Sequence, residues 1–218
     1  GVQTCALPIY RLTLARLGAA GVRVVVYNFM PVIDWVRTDL AFRLPDGREA
    51  LRYDPVQFAA FDLFALRRQG AETDWGPEKV TAARRLWDSY SPNAREAFVR
   101  QTLDLFPGVR LGLGLDDFRA MLARYGAVTP DGLRENLRSF LDAVLPAAEQ
   151  AGVRLAIHPD DPPFPILGLP RIVSTASDLA AIAKLNPSAA NGFCYCTGSL
   201  GARADNDLVG MVRALGPR

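Results

Sequence analysis

The chain has 218 residues, half of them hydrophobic, with 25 basic and 23 acidic side chains and a formal net charge of +2. That suffices to bury one sizeable core, and the interspersed signs of charge, with no basic stripe, exclude a nucleic-acid footprint. No apolar run approaches the ~20 residues that span a bilayer, no signal-peptide layout opens the chain, and three cysteines make no disulfide framework. A cytoplasmic protein without nucleic-acid or membrane partners is expected.

The opening residues GVQTCALPI (1–9) join no periodic pattern and are expected to be a non-native leader. From Tyr10 to Ala20, Leu12, Leu14 and Leu17 line one helical face, and Gly21 closes the helix. VRVVVYNF (22–29) is a β-branched run of the kind that forms buried parallel strands. FRLPDGREALRYDP (42–55) alternates about Asp46-Gly47, a strong hairpin signal. Residues 55–106 are helical in pattern, with starts at Pro55, at Pro77 and at Ser91-Pro92, and LDDFRAMLARYG (115–126) adds a short helix. The longest helix, 129–152, opens on Thr129-Pro130 and contains Pro146, where a kink is expected.

The last third alternates. VRLAIHP is a predicted strand, PRIVS a second, TASDLAAIAKLN a helix, NGFCYCTGS a third strand, and RADNDLVGMVRAL a closing helix punctuated by Gly216-Pro217. Strands alternating with helices predict an α/β fold with a parallel sheet, and the block at 55–126 reads as a helical insertion between two of its strands.

In such folds catalytic groups sit where strands end and loops lead into helices. Four polar clusters fall there: Tyr27-Asn28, His158-Pro159-Asp160-Asp161, Arg171 with Ser174, and Cys196-Thr197-Gly198-Ser199. His158 is the only histidine, at the end of an apolar run and in front of a proline-rich acidic loop. An imidazole there can ligate or transfer a proton, or it can bond a backbone carbonyl as a structural group. Cys196 can be a thiolate ligand or a small buried hydrophobe, and Cys194-x-Cys196 is not a zinc-knuckle spacing. Asp160 and Asp161 can bind metal or substrate, or simply make a turn. Arg37, between Asp34 and Asp39, offers a carboxylate clamp or a surface ion pair. Thr197 and Ser199 lie in a glycine-rich turn suited to an anionic group.

Three blocks then carry a resemblance. VYNFMPVIDWVRTDL (26–40), LAIHPDDPPFPILGLPRIVST (155–175) and NGFCYCTGSLGARADNDLV (191–209) resemble the mannonate dehydratase family in order and spacing, and the similarity runs from about Tyr10 onward. The resemblance implies a xylose-isomerase-like (β/α)8 TIM barrel and the Mn2+- or Fe2+-dependent dehydration of D-mannonate to 2-keto-3-deoxy-D-gluconate in hexuronate (glucuronate) catabolism. It implies His158 and Cys196 as two metal ligands, with the remaining histidine and aspartate ligands in blocks that this sequence does not contain. It also makes Asn28, Arg37, Asp160, Arg171 and Ser199 candidates for binding the sugar acid, and leaves the general base and acid unassigned. Residues 10–218 are accordingly expected to be a partial barrel, truncated at both ends, from a protein that is a homo-oligomer at full length. The alternatives are another sugar isomerase or epimerase of the same barrel type, and a non-catalytic barrel fragment.

Overall fold

The computed structural model describes residues 2–106 and 112–216, with side chains from Ala6 onward. In chain order the elements are α1 (Val2–Ala19), β1 (Val24–Tyr27), β2 (Asp39–Arg43), β3 (Glu49–Arg52) and α2 (Pro55–Ala60). A π-helical turn (Phe61–Leu66) continues α2, and α3 (Ala71–Ser89), α4 (Pro92–Asp104), α5 (Leu115–Ala123) and α6 (Pro130–Gln150) follow. The remainder holds β4 (Arg154–Ile157), α7 (Ala176–Leu185), β5 (Asn191–Phe193), α8 (Thr197–Leu200) and α9 (Leu208–Leu215). Two compact units result: Gly1–Phe29 with Val128–Phe164 and Pro170–Arg218, called the sheet unit, and Met30–Ala127 with Pro165–Leu169, called the helical unit.

The sheet unit is mixed α/β. Its three strands are parallel in the order β1-β4-β5, with Tyr27 beside Ile157 and Ile157 beside Phe193. The three β-branched or aromatic runs anticipated at 22–29, 153–159 and 191–199 thus supply the strands. Leu155 and Ile157 are buried against a stripe on α6 formed by Leu133, Leu137, Leu141, Val144, Leu145 and Ala148. Their spacing is that of one helical face, which is why α6 lies on the sheet. Thr129 caps α6 by accepting from the Gly132 amide at 3.1 Å, and the helix runs through Pro146 as a single element. Thr175 and Asp178 form a capping box on α7.

PRIVS is not a strand. Ile172 and Val173 are buried, as a strand reading requires, but Val173 spends both backbone groups on Asp160: its amide donates to Asp160 Oδ2 (2.6 Å) and its carbonyl accepts from the Asp160 amide (3.0 Å). A carboxylate has taken the place of a neighbouring strand. Two helix boundaries also differ from those anticipated. α1 starts at Val2 and includes Pro8, so the stretch expected to be a leader is helical from that residue on. α9 starts only at Leu208, capped by Asp207 through the Gly210 amide at 3.0 Å. Pro217, of the pair expected to end it, lies outside the described residues.

In the helical unit, β2 and β3 form the antiparallel hairpin expected around Asp46-Gly47, with Gly47 at φ 87°. The core is aromatic: Phe58, Phe61, Phe106 and Phe118 pack with ring centroids 5.1 to 6.3 Å apart. The helix predicted from Pro77 has an extra turn before it, joined across Gly76 at φ 72°. The compact unit begins at Met30, well before the insertion expected at 55–126, because the hairpin belongs with the helices.

In the sheet unit α1 lies on α6, and Gly18 faces the Ala151 carbonyl oxygen that follows α6. Helix propensity alone favours Gly18→Ala by ~1 kcal/mol. A Cβ at this position, however, meets that oxygen and comes 2.9 Å from the Ala151 Cβ. Overpacking of this kind costs about 1–3 kcal/mol, so Gly18→Ala is expected to lower the urea midpoint of the chain; a raised midpoint would show that α1 does not sit this close.

Candidate metal centre at the strand ends

Parallel pairing sets the site. The ladders continue past the strands on both sides of β4: the His158 amide donates to the Tyr27 carbonyl (2.8 Å), and the Cys194 amide donates to the Ile157 carbonyl (2.9 Å). Asn28, His158 and Cys194 therefore begin their loops side by side, and two residues further Cys196 caps α8.

The His158 Nδ1 lies 2.8 Å from the Pro159 carbonyl oxygen. A carbonyl only accepts, so Nδ1 carries the proton and Nε2 keeps its lone pair, the form in which an imidazole ligates. The Cys196 thiol interacts electrostatically with the imidazole of His158 and accepts from the Ser199 hydroxyl at 3.4 Å. Burial pushes the Cys196 thiol up, but the hydrogen bonds from Ser199 and the interaction with His158 outweigh it and leave the pKa below the ordinary thiol value. Cys194 goes the other way, raised by burial and by Cys196. A nitrogen donor and a sulfur donor thus stand at adjacent strand ends, a pair of the kind that suits a divalent transition ion. Among the described residues no group of three or more His, Cys, Asp or Glu side chains could hold a metal ion.

The other candidates fall into distinct places. Asp160 is fully buried and accepts from the Val173 amide and from the Ser174 hydroxyl (2.9 Å), with Arg171 Nη1 at 3.9 Å from its second oxygen. Burial raises the Asp160 pKa above the ordinary carboxylate value, against the opposing pull of Arg171, Val173 and Ser174. The Arg171 side chain is 1% exposed, so both residues lie inside the loop wall rather than on its surface. Ser199 is buried and donates to Asp161 Oδ2 at 3.1 Å, tying α8 to the proline loop. Asn28 is exposed directly after β1. Arg37 belongs to the helical unit, its guanidinium 5.4 Å from the Trp35 ring centre.

Asn206 was not anticipated. Its amide donates to the carbonyls of Ser174 (3.0 Å) and Leu200 (2.9 Å), fastening the irregular 171–175 segment to α8. Arg203 likewise reaches the Pro163 carbonyl at 3.2 Å. Both lie in a stretch whose composition reads as the start of a helix, and nothing in the local pattern separates them from surface polar residues.

Parallel strands ending in an imidazole and a thiol, with a buried carboxylate bracing the loop after β4, define a mixed α/β protein with a polar strand-end site. Comparison with known proteins is specific. The D-mannonate dehydratase (UxuA) family profile matches residues 5–218, and the chain belongs to that family. It is 47% identical over 207 residues to a mannonate dehydratase of Marinomonas sp., covering 95% of this chain and 53% of that protein. It is 50% identical over 202 residues to one of Chromohalobacter salexigens, covering 93% and 52%. The crystal structure of mannonate dehydratase from Streptococcus suis serotype2 superposes with a TM-score of 0.64 at 30% identity, over 95% of this chain and 46% of that one. The chain spans about half the length of the relatives it matches.

The Ser199→Ala change removes the hydroxyl that favours the Cys196 thiolate. The thiol pKa is then expected to rise, and alkylation of Cys196 by iodoacetamide at neutral pH to slow by up to about tenfold, the change that one pKa unit gives. Cys194 in the same sample serves as the reference. An unchanged rate at Cys196 would mean that Ser199 does not act on it.

Proposed function

We propose that the chain is part of a metal-dependent hydro-lyase that dehydrates D-mannonate to 2-keto-3-deoxy-D-gluconate in glucuronate catabolism. The observation that carries this is the placing of His158 and Cys196 directly after the paired strands β4 and β5 in a chain of this family. Under this reading residues 10–218 contribute to a xylose-isomerase-like (β/α)8 barrel, in a cytoplasmic protein that is a homo-oligomer at full length.

His158 and Cys196 would hold Mn2+ or Fe2+ through an imidazole nitrogen and a thiolate sulfur. When bound, a divalent ion supplies Lewis acidity to the carboxylate and adjoining hydroxyl of an aldonate, which acidifies the C2–H. The chain's own residues supply order. The Pro159 carbonyl holds the His158 tautomer, Ser199 keeps Cys196 ready to ionise, and Asp160 with Arg171 and Ser174 fixes the loop that begins at His158. Asp160, Arg171 and Ser199 thus serve the sugar acid by holding the wall against which it binds, and Asn28 is the candidate for touching it. For Arg37 the proposal rests on its sequence block alone. The general base and acid are not assigned to any residue.

Two donors leave a divalent ion mostly hydrated, with low affinity and a weak acidifying effect. The 218-residue chain with added Mn2+ is therefore expected to form negligible keto-deoxygluconate from D-mannonate. Turnover near that of a full-length relative would show that other residues here complete the site. Its Mn2+ affinity, followed by electron paramagnetic resonance, is expected to fall by about tenfold or more in Cys196→Ser and little in Cys194→Ser. Equal losses would reassign the sulfur ligand.

A further inference from the structure

The ladders of the sheet place His158 but stop short of Cys196. The last ladder bond on that side runs from the Cys194 amide to the Ile157 carbonyl, and the Cys196 amide has already turned back to the Cys194 carbonyl at 3.0 Å. Cys196 then opens α8, a single turn of four residues with no side-chain cap. One turn is too short to hold itself together, so its place comes from what it touches. Leu200, fully buried, anchors the far end. An apolar contact is non-directional, however, and leaves the turn free to rotate about that anchor.

The proline loop supplies directional contacts within the same sheet unit. Asp161 Oδ2 accepts from the Ser199 hydroxyl at 3.1 Å, and that hydroxyl also lies 3.4 Å from Cys196 Sγ. Ser199 is 2% exposed, which keeps water away from both bonds. Four residues further along, Arg203 Nη1 donates to the Pro163 carbonyl at 3.2 Å. Two bonds between the same pair of segments fix an orientation that one bond leaves open. Of the two, only the bond to Asp161 leads on to the sulfur.

We propose that Asp161 is a positioning residue for Cys196: through the Ser199 hydroxyl it sets the rotation of α8 and with it the direction of the Cys196 sulfur. Its effect on metal binding rests on the function proposed above; its hold on α8 does not.

Two readouts on the 218-residue chain separate these claims. Without metal, amide exchange compares the Leu200 amide, which donates to the Cys196 carbonyl (3.0 Å), with the His158 amide, which donates to the Tyr27 carbonyl in the ladder (2.8 Å). In Asp161→Ala the Leu200 amide is expected to exchange about tenfold faster or more, with the His158 amide unchanged. Ser199→Ala breaks the same bond from the other side and is expected to act alike, should Asp161→Ala fail to fold. Asp161→Asn keeps an oxygen that accepts from Ser199 and is expected to retain the wild-type rate. With Co2+ added, in a Cys5→Ser, Cys194→Ser background, the thiolate-to-cobalt charge-transfer band reports Cys196 as a ligand. Asp161→Ala is expected to weaken Co2+ binding by about tenfold or more and to lose that band, and Asp161→Asn to keep both. The proposal is overturned if Leu200 keeps its protection in the alanine variants, if His158 loosens along with it, or if Asp161→Asn behaves like Asp161→Ala. A loosened α8 with an unchanged band overturns it as well. A parent chain that gives no thiolate band would sink the metal reading instead, and the exchange rates would still decide whether Asp161 holds α8.

Discussion

Everything at the candidate site depends on β4 being paired on both sides. A strand with two parallel neighbours cannot shift its register without breaking both ladders, and here each ladder runs one bond past the strand, through the His158 amide on one side and the Ile157 carbonyl on the other. Because parallel strands point the same way, their following loops must open on one side of the sheet. The order β1-β4-β5 then brings Asn28, His158 and the Cys194–Cys196 turn together, although more than 120 residues separate the first two. Burial of Leu155 and Ile157 on α6 fixes which face of β4 is turned inward, and with it the direction in which the chain leaves at His158.

The loop after β4 solves a problem that a strand would have solved differently. Segment 171–174 is buried, so its backbone groups need partners. Asp160 provides those of Val173 from across the loop, at the cost of enclosing a carboxylate, while the Ser174 amide turns to Asp178 and its carbonyl to Asn206. A lone buried carboxylate costs several kcal/mol, and charge-assisted bonds of the kind made by Val173 and Ser174 return roughly 1.5–3 kcal/mol each. Arg171 nearby narrows the remainder. The charge is tolerated because the loop is built around it, and Asn206 and Arg203 complete the fastening from the far side.

Where local pattern and tertiary context agreed, the sequence was legible. Thr129, Ser91 and Thr175 announced helix starts and do cap α6, α4 and α7. Asp46-Gly47 announced a hairpin, and the apolar runs before Asn28 and His158 announced β1 and β4. PRIVS was illegible because buried irregular backbone has the same apolar composition as a short buried strand, and nothing local reveals that Asp160 occupies the pairing position. The π-helical turn was hidden too, since Phe61–Leu66 continues an ordinary helical pattern. At the site, residue type alone left His158 and Cys196 open between ligand and structural roles. The family resemblance implies that they are ligands, and their placing after neighbouring paired strands is what no spacing in the sequence could supply. Asp160, Arg171 and Ser199 read as polar groups at strand ends, and nothing in the local pattern reveals that all three are buried.

The two cysteines of the Cys-x-Cys turn show how the backbone separates residues that the sequence presents as equivalent. Strict alternation would send Cys194 and Cys196 to the same face. Instead the Cys196 amide folds back to the Cys194 carbonyl at 3.0 Å, ending the strand between them. Cys194 stays in the ladder with β4, where burial disfavours its thiolate. Cys196 moves to the start of α8, within reach of the Ser199 hydroxyl and the His158 ring, both of which favour it. Charge on Cys196 raises Cys194 further, so the turn yields one available thiolate and not two. A single thiolate beside a single imidazole leaves most of a divalent ion's coordination positions open to other donors, whereas a dithiolate would take one more of them.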